Sequence, residues 1–171
     1  MIKLPELDDV RKAVLKPVDC VWMHNYRRLT TRITRYLVVT NIKANHVTVL
    51  SFLISLIGAY FFSLGAYRFL VYGAIAMQLG YFLDIMDGEI ARFKKQTSKF
   101  GQWLDNSTDV YAQIAIAVGV TYGIFSNNPE LFILILGLLY LLNHLFYVYL
   151  RMLNQEIFGS ENFYLELQYH P

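Results

Sequence analysis

Two short stretches concentrate the residues able to do chemistry. They are Leu83-Asp84-Ile85-Met86-Asp87-Gly88-Glu89-Ile90-Ala91-Arg92 and, after eight residues, Gly101-Gln102-Trp103-Leu104-Asp105-Asn106-Ser107-Thr108-Asp109. On a helix, Asp84, Asp87, Gly88 and Ala91 stand at i, i+3, i+4 and i+7 and share one face. Gly101, Asp105 and Asp109, at i, i+4 and i+8, form a second stripe. The short connection from Phe93 to Phe100 makes the two helices antiparallel neighbours, so the spacing predicts four carboxylates converging on one site. Carboxylates without nearby Cys or His are hard oxygen ligands that select magnesium, manganese or calcium over zinc, and several together can hold one or two ions. The small residues beside them leave room for a bulky ligand at the helix backbone. Taken alone, Gly88 and Ala91 would favour helix packing. The bland alternative is a structural network in which Arg92, Lys94, Lys95 and Lys99 pair with the aspartates, and it leaves the spacing unexplained.

The elements that must position these residues are membrane helices. Of 171 residues, 56% are hydrophobic and only 16% charged, too apolar for an ordinary soluble domain. Four segments approach the length that spans a bilayer: Val47 to Leu64, Phe69 to Leu83, Val110 to Phe125 and Leu131 to Leu150. The second and third run on into the acidic stretches. An aspartate near the centre of a membrane helix costs about 2.5 to 3.5 kcal/mol, against net stabilities of about 5 to 15 kcal/mol. Four of them must therefore face water, pair with cations or bind metal. Nine of the 15 Lys and Arg residues precede the first span, four lie between Arg92 and Lys99, and Arg151 follows the last span, so 14 fall on one side. The positive-inside rule makes that side cytoplasmic, with both termini and the acidic cluster on it.

Before the first span, Val18, Trp22, Tyr26, Leu29, Ile33 and Leu37 recur every three or four residues, with Arg27, Arg28, Arg32 and Arg35 on other faces. This reads as an amphipathic helix lying at the membrane interface rather than one packed on the bundle. The expected fold is an all-α, polytopic transmembrane helix bundle with an N-terminal interfacial helix. Residues 1–43 form the cytoplasmic or interfacial segment, 44–153 a catalytic bundle of about four helices, and 154–171 a tail without an assigned role. The acidic and basic residues near the N-terminus are unlike a cleavable signal peptide, so the first span is expected to stay in the mature protein. The single cysteine, Cys20, excludes an intramolecular disulfide. Asn143 and His144 are polar residues within the fourth span, read as an interhelical hydrogen-bonded contact or a substrate contact. His24, His46 and His170 show no ligand-like spacing.

The two acidic stretches together resemble the signature of the CDP-alcohol phosphotransferase family, D-x-x-D-G-x-x-A-R, eight residues, G, three residues, D, three residues, D. Every fixed position matches between Asp84 and Asp109. The resemblance implies a membrane-embedded transferase of phospholipid biosynthesis that displaces CMP from a CDP-linked donor with an alcohol acceptor, forming a phosphodiester. It implies that Asp84, Asp87, Asp105 and Asp109 hold a divalent metal, magnesium or manganese, with Asp109 also placed to act as general base. Asp84, Gly88, Ala91, Arg92, Gly101 and Asp105 would form the CDP site. The expected partners are the donor, the acceptor and membrane lipids, with no nucleic acid, and a homodimer is compatible with the family. The wording Asp87-Gly88-Glu89-Ile90-Ala91-Arg92, Ser98-Lys99-Phe100-Gly101 and Trp103-Leu104-Asp105 is most similar to inositol-phosphate-transferring members. An acceptor carrying phosphate needs a cation, and Arg151 at the end of the fourth span is the candidate, with Arg28, Arg32 and Arg35 as others.

The chain departs from the family pattern twice. Members usually have about six membrane helices where four strong spans are found, and Ala44-Asn45-His46-Val47-Thr48 is similar to the family's P-N-x-x-T segment without its proline. Two rival classes follow from the residues: an ion or metal transporter, since intramembrane carboxylates also mark transport pathways, and a non-catalytic relative. The absence of a repeated half counts against the first, and retention of all four aspartates against the second.

Overall fold

A computed structural model describes residues 4–14 and 21–158, and among them only helices occur. They are α1 (Leu7–Val14), α2 (Val21–Leu37), α3 (Ala44–Ser63), α4 (Tyr67–Phe93), α5 (Lys99–Asn127) and α6 (Leu131–Phe158). The last four are each long and apolar enough to cross a membrane. Each is longer than the apolar run that announced it, because the polar acidic turns at the ends of α4 and α5 continue the same helices. α6 carries on to Phe158, so the first five residues of the tail read as 154–171 belong to this helix, and residues 159–171 lie outside the described residues.

Helices α3, α4 and α5 form the centre of the bundle. α3 and α4 run antiparallel, joined along their length by a hydrogen bond from Ser51 Oγ to Gly80 O (2.8 Å) and by the close approach of Gly58 to the Gly73 carbonyl. α3 and α5 run parallel and touch backbone to backbone. A Cβ at Gly119 would run into Ala59 O, and one at Gly123 into Phe62 O, so only glycine permits this approach. At the end away from the acidic cluster, Gly65 (φ 69°) makes the α3–α4 turn, and Asn127 Nδ2 donates to its carbonyl at 3.0 Å. The outer faces carry exposed Leu, Ile, Phe and Tyr; α6 exposes Leu138, Leu139, Leu142 and Phe146 among others. Such a surface suits lipid and not water.

At the opposite end a small apolar core of Val38, Ala44, Val47 and Ile90 locks the α2–α3 junction against α4, level with the acidic residues. Lys94, just past α4, donates from Nζ to the carbonyls of Thr40 and Ile42, both at 2.7 Å, tying the same junction down. Partial burial lowers its pKa from the ordinary lysine value.

The amphipathic reading of α2 is modified. The helix exists and exposes Leu29 and Ile33, but it packs on α4 through a polar face in which Arg27, Thr30, Thr31 and Thr34 are buried. Of the apolar stripe, Leu29 and Ile33 face outwards, whereas Tyr26 sets its ring against Tyr81 and Phe82 of α4 and Leu37 packs on the core around Val38 and Ile90; between them the inward face carries a row of hydroxyls. Val18 and the Trp22 side chain lie outside what is described.

Candidate active site

Both acidic stretches sit where their helices end at the same side of the bundle. The last turns of α4 carry Asp84, Asp87, Gly88, Ala91 and Arg92. Ser98 caps α5, accepting from the Gly101 N–H at 3.0 Å, so the helix starts at Lys99 and brings Asp105 and Asp109 round on one face. One carboxylate oxygen from each of Asp84, Asp105 and Asp109 lies within 4.8 Å of the others. Three of the four aspartates are thus brought to one point. The fourth, Asp87, stands about 60° round the helix from Asp84 at 100° per residue, and is turned towards α3. There it is almost fully buried and accepts a 2.5 Å hydrogen bond from Thr48 Oγ1. The convergence expected of all four is therefore a triad with a neighbour held by α3.

Thr48 is the threonine of the Ala44–Thr48 segment, and its hydroxyl is the specific partner of a buried carboxylate. Thr48→Val is expected to lower stability by about 2 kcal/mol, the cost of a buried charged group losing its donor. The midpoint of thermal unfolding in detergent reads this directly, and Thr48→Ser should recover most of it. An unchanged midpoint for the valine variant would mean that Asp87 is not held this way.

The donor set fits a hard divalent ion. Three carboxylates from two helices offer oxygen alone, at mutual distances that one ion or a pair can bridge, and Asp87 lines the same cavity as Asp105. Beside the triad lies a cavity of about 480 Å³, lined by Asp87, Gly88, Ala91, Arg92, Gly101 and Asp105 among others. Its size is that of a small-molecule site. The two glycines leave it open: a Cβ at Gly88 would come within 3.2 Å of Arg92 Nη1, and one at Gly101 within 3.3 Å of Asn45 Oδ1.

A second cavity, of about 470 Å³, lies between α5 and α6 and includes Asp109, Asn106, His144, Tyr147 and Arg151. Arg151 lines both cavities and donates from Nη2 to Asn106 Oδ1 at 3.3 Å. His144 is buried against Tyr140, whose ring is parallel to it at 6.4 Å. Its Nε2 makes no hydrogen bond among the described residues, in contrast to the interhelical bond expected of it. Sequence reading passed over Asn106, Thr30, Thr34 and Glu89. For Glu89 the signal was present as a carboxylate inside an apolar face two residues after Asp87.

Residues 41–160 match the family model described as CDP-alcohol phosphatidyltransferase. The chain is 42% identical over 89 residues to the bifunctional IPC transferase and DIPP synthase of Aquifex aeolicus, covering 52% of this chain and 20% of that protein. It is 32% identical over 131 residues to the archaetidylinositol phosphate synthase of Pyrococcus horikoshii, covering 77% of this chain and 62% of the relative. With the bifunctional IPC transferase and DIPP synthase of Thermococcus kodakarensis it shares 34% identity over 131 residues, 76% of this chain and 29% of the relative. The chain spans less than two thirds of the length of each of these relatives.

Proposed function

Since the chain belongs to the CDP-alcohol phosphatidyltransferase family, we propose that it transfers a substituted phosphate from a CDP-linked lipid to an alcohol in phospholipid synthesis, releasing CMP. The observation that carries this reading is the carboxylate triad of Asp84, Asp105 and Asp109 beside a cavity walled by Gly88, Ala91, Arg92 and Gly101. Gly88, Ala91 and Gly101 give the CDP moiety access to the helix backbones, and Arg92 faces its phosphates. Asp84, Asp87, Asp105 and Asp109 hold magnesium or manganese. A bound divalent ion supplies neutralisation of the pyrophosphate charge and stabilises CMP as leaving group. Asp109, which borders both the triad and the second cavity, accepts the proton of the acceptor hydroxyl as its oxygen attacks phosphorus and the bond to the CMP oxygen breaks. The lipid-facing helices keep the donor in the bilayer, and the site opens at the end read as cytoplasmic.

For the acceptor we propose an inositol phosphate. The relatives named for archaetidylinositol phosphate support this, as does Arg151, the cation that borders the second cavity together with Asp109. Arg151→Ala is expected to raise the KM for inositol phosphate about tenfold or more, the loss of one charge-assisted contact, while the KM for the CDP donor moves little. Initial rates of CMP release at varied acceptor test it. An unchanged acceptor KM would remove Arg151 from the acceptor site, and better turnover with inositol, serine or glycerol 3-phosphate would reassign the acceptor.

A further inference from the structure

Glu89 is fully buried in the last turns of α4, two residues beyond Asp87, and neither the metal set nor the cavities use it. Its carboxylate is held from another helix. Thr30 Oγ1 donates to Oε1 at 2.7 Å and Thr34 Oγ1 to Oε2 at 2.6 Å. Both threonines are themselves fully buried on α2, one turn apart. Arg27, on the same helix, acts on the Glu89 charge and donates from Nη1 to the Val14 carbonyl at 3.3 Å, bringing the end of α1 into the arrangement. Arg92, three residues after Glu89 on α4, is a second cation whose charge reaches it.

Burying a carboxylate costs several kcal/mol even when it is paired, and apolar residues of similar volume often hold helices together as well or better. Stability alone therefore gives weak grounds for a glutamate here. What the charge adds is direction. Arg92 lies at the border between the Glu89 face of α4 and the face that carries Asp87 and Gly88. Its guanidinium crosses Gly88, with Nη1 3.2 Å from where a Cβ would stand, and reaches the donor cavity. A fixed negative charge behind it, itself fixed by two hydroxyls of α2, limits where that guanidinium can go.

We propose that Glu89 is a positioning residue for the donor: anchored by Thr30 and Thr34, it clamps α2 to α4 and holds Arg92 across Gly88, towards the donor phosphates. The inference rests on the donor-site reading above. It makes the N-terminal helix part of the machinery, acting through Glu89 without touching substrate.

The test is a double-mutant cycle in the full-length protein reconstituted in lipid, reading KM for the CDP donor and kcat separately. Glu89→Gln is expected to raise donor KM about tenfold with a much smaller change in kcat, and to add little once Arg92→Ala is present. Donor KM unchanged in Glu89→Gln, or a loss that adds in full to that of Arg92→Ala, would overturn the proposal and leave Glu89 a packing residue. Should Glu89→Gln not fold, Thr30→Val with Thr34→Val keeps the charge and removes its anchors. It is expected to show the same donor-KM rise and the same non-additivity with Arg92→Ala, and the same opposite outcomes would overturn the claim. Asp109→Asn run beside these reports on the transferase reading itself, since its loss of activity does not depend on Glu89.

Discussion

Asp109→Asn is expected to lower acceptor-dependent CMP release by about 10²- to 10⁴-fold, the range lost with a general base. The substitution preserves side-chain size, so the fold should survive and donor binding should change less than turnover. The expectation follows from position: Asp109 alone among the four aspartates belongs to the triad and also lines the second cavity, between α5 and α6. Asp84→Asn and Asp105→Asn are also expected to lose activity, as the metal ligands proposed above, and excess magnesium or manganese should recover part of it. Excess metal should not recover Asp109→Asn. Initial rates at several metal concentrations separate the two cases. A rate for Asp109→Asn within about tenfold of the parent, or its full recovery by metal, would make Asp109 a ligand only.

Gly119→Ala is expected to cost about 3 kcal/mol, near the upper end of overpacking penalties. The reason is that the added Cβ meets backbone, Ala59 O, and not a side chain able to turn away. Helices α3 and α5 would have to separate, carrying Thr48 and its partner Asp87 away from Asp105 and Asp109. Stability and activity should therefore fall together. Gly88→Ala makes the contrast, because its Cβ meets the far end of the Arg92 side chain and not backbone. That variant should keep its unfolding midpoint and lose donor affinity. Unfolding midpoints in detergent for the two variants check both; a midpoint for Gly119→Ala equal to the parent's would show that α3 and α5 do not touch there.

The residues that sequence periodicity exposed were those whose partners lie on the same helix. Asp84 with Asp87, and Asp105 with Asp109, are related by 3.6-residue geometry, and a five-residue connection between α4 and α5 leaves little choice but to juxtapose them. The destination of Asp87 was only half visible, because its partner Thr48 belongs to a different helix 39 positions away. Glu89 was hidden for the same reason at greater range: Thr30 and Thr34 lie 59 and 55 positions upstream. Hydropathy showed only part of what α2 does. Leu29 and Ile33 of its apolar stripe are exposed and Tyr26 meets Tyr81 and Phe82 of α4, while the hydroxyls of Thr30 and Thr34 face α4 because it has a carboxylate to satisfy. Helix ends were likewise understated, since polar turns such as Asp84 to Arg92 end the apolar run without ending the helix.

The measurement that bears most directly on the function is CMP release by the purified protein in lipid. CDP-diacylglycerol and CDP-inositol serve as donors, with magnesium or EDTA, across inositol phosphate, inositol, serine and glycerol 3-phosphate. The expected result is release from the CDP-linked lipid that requires both the metal and inositol phosphate. Folded, metal-binding protein that releases no CMP with any pair, or that carries metal across the membrane instead, would contradict it.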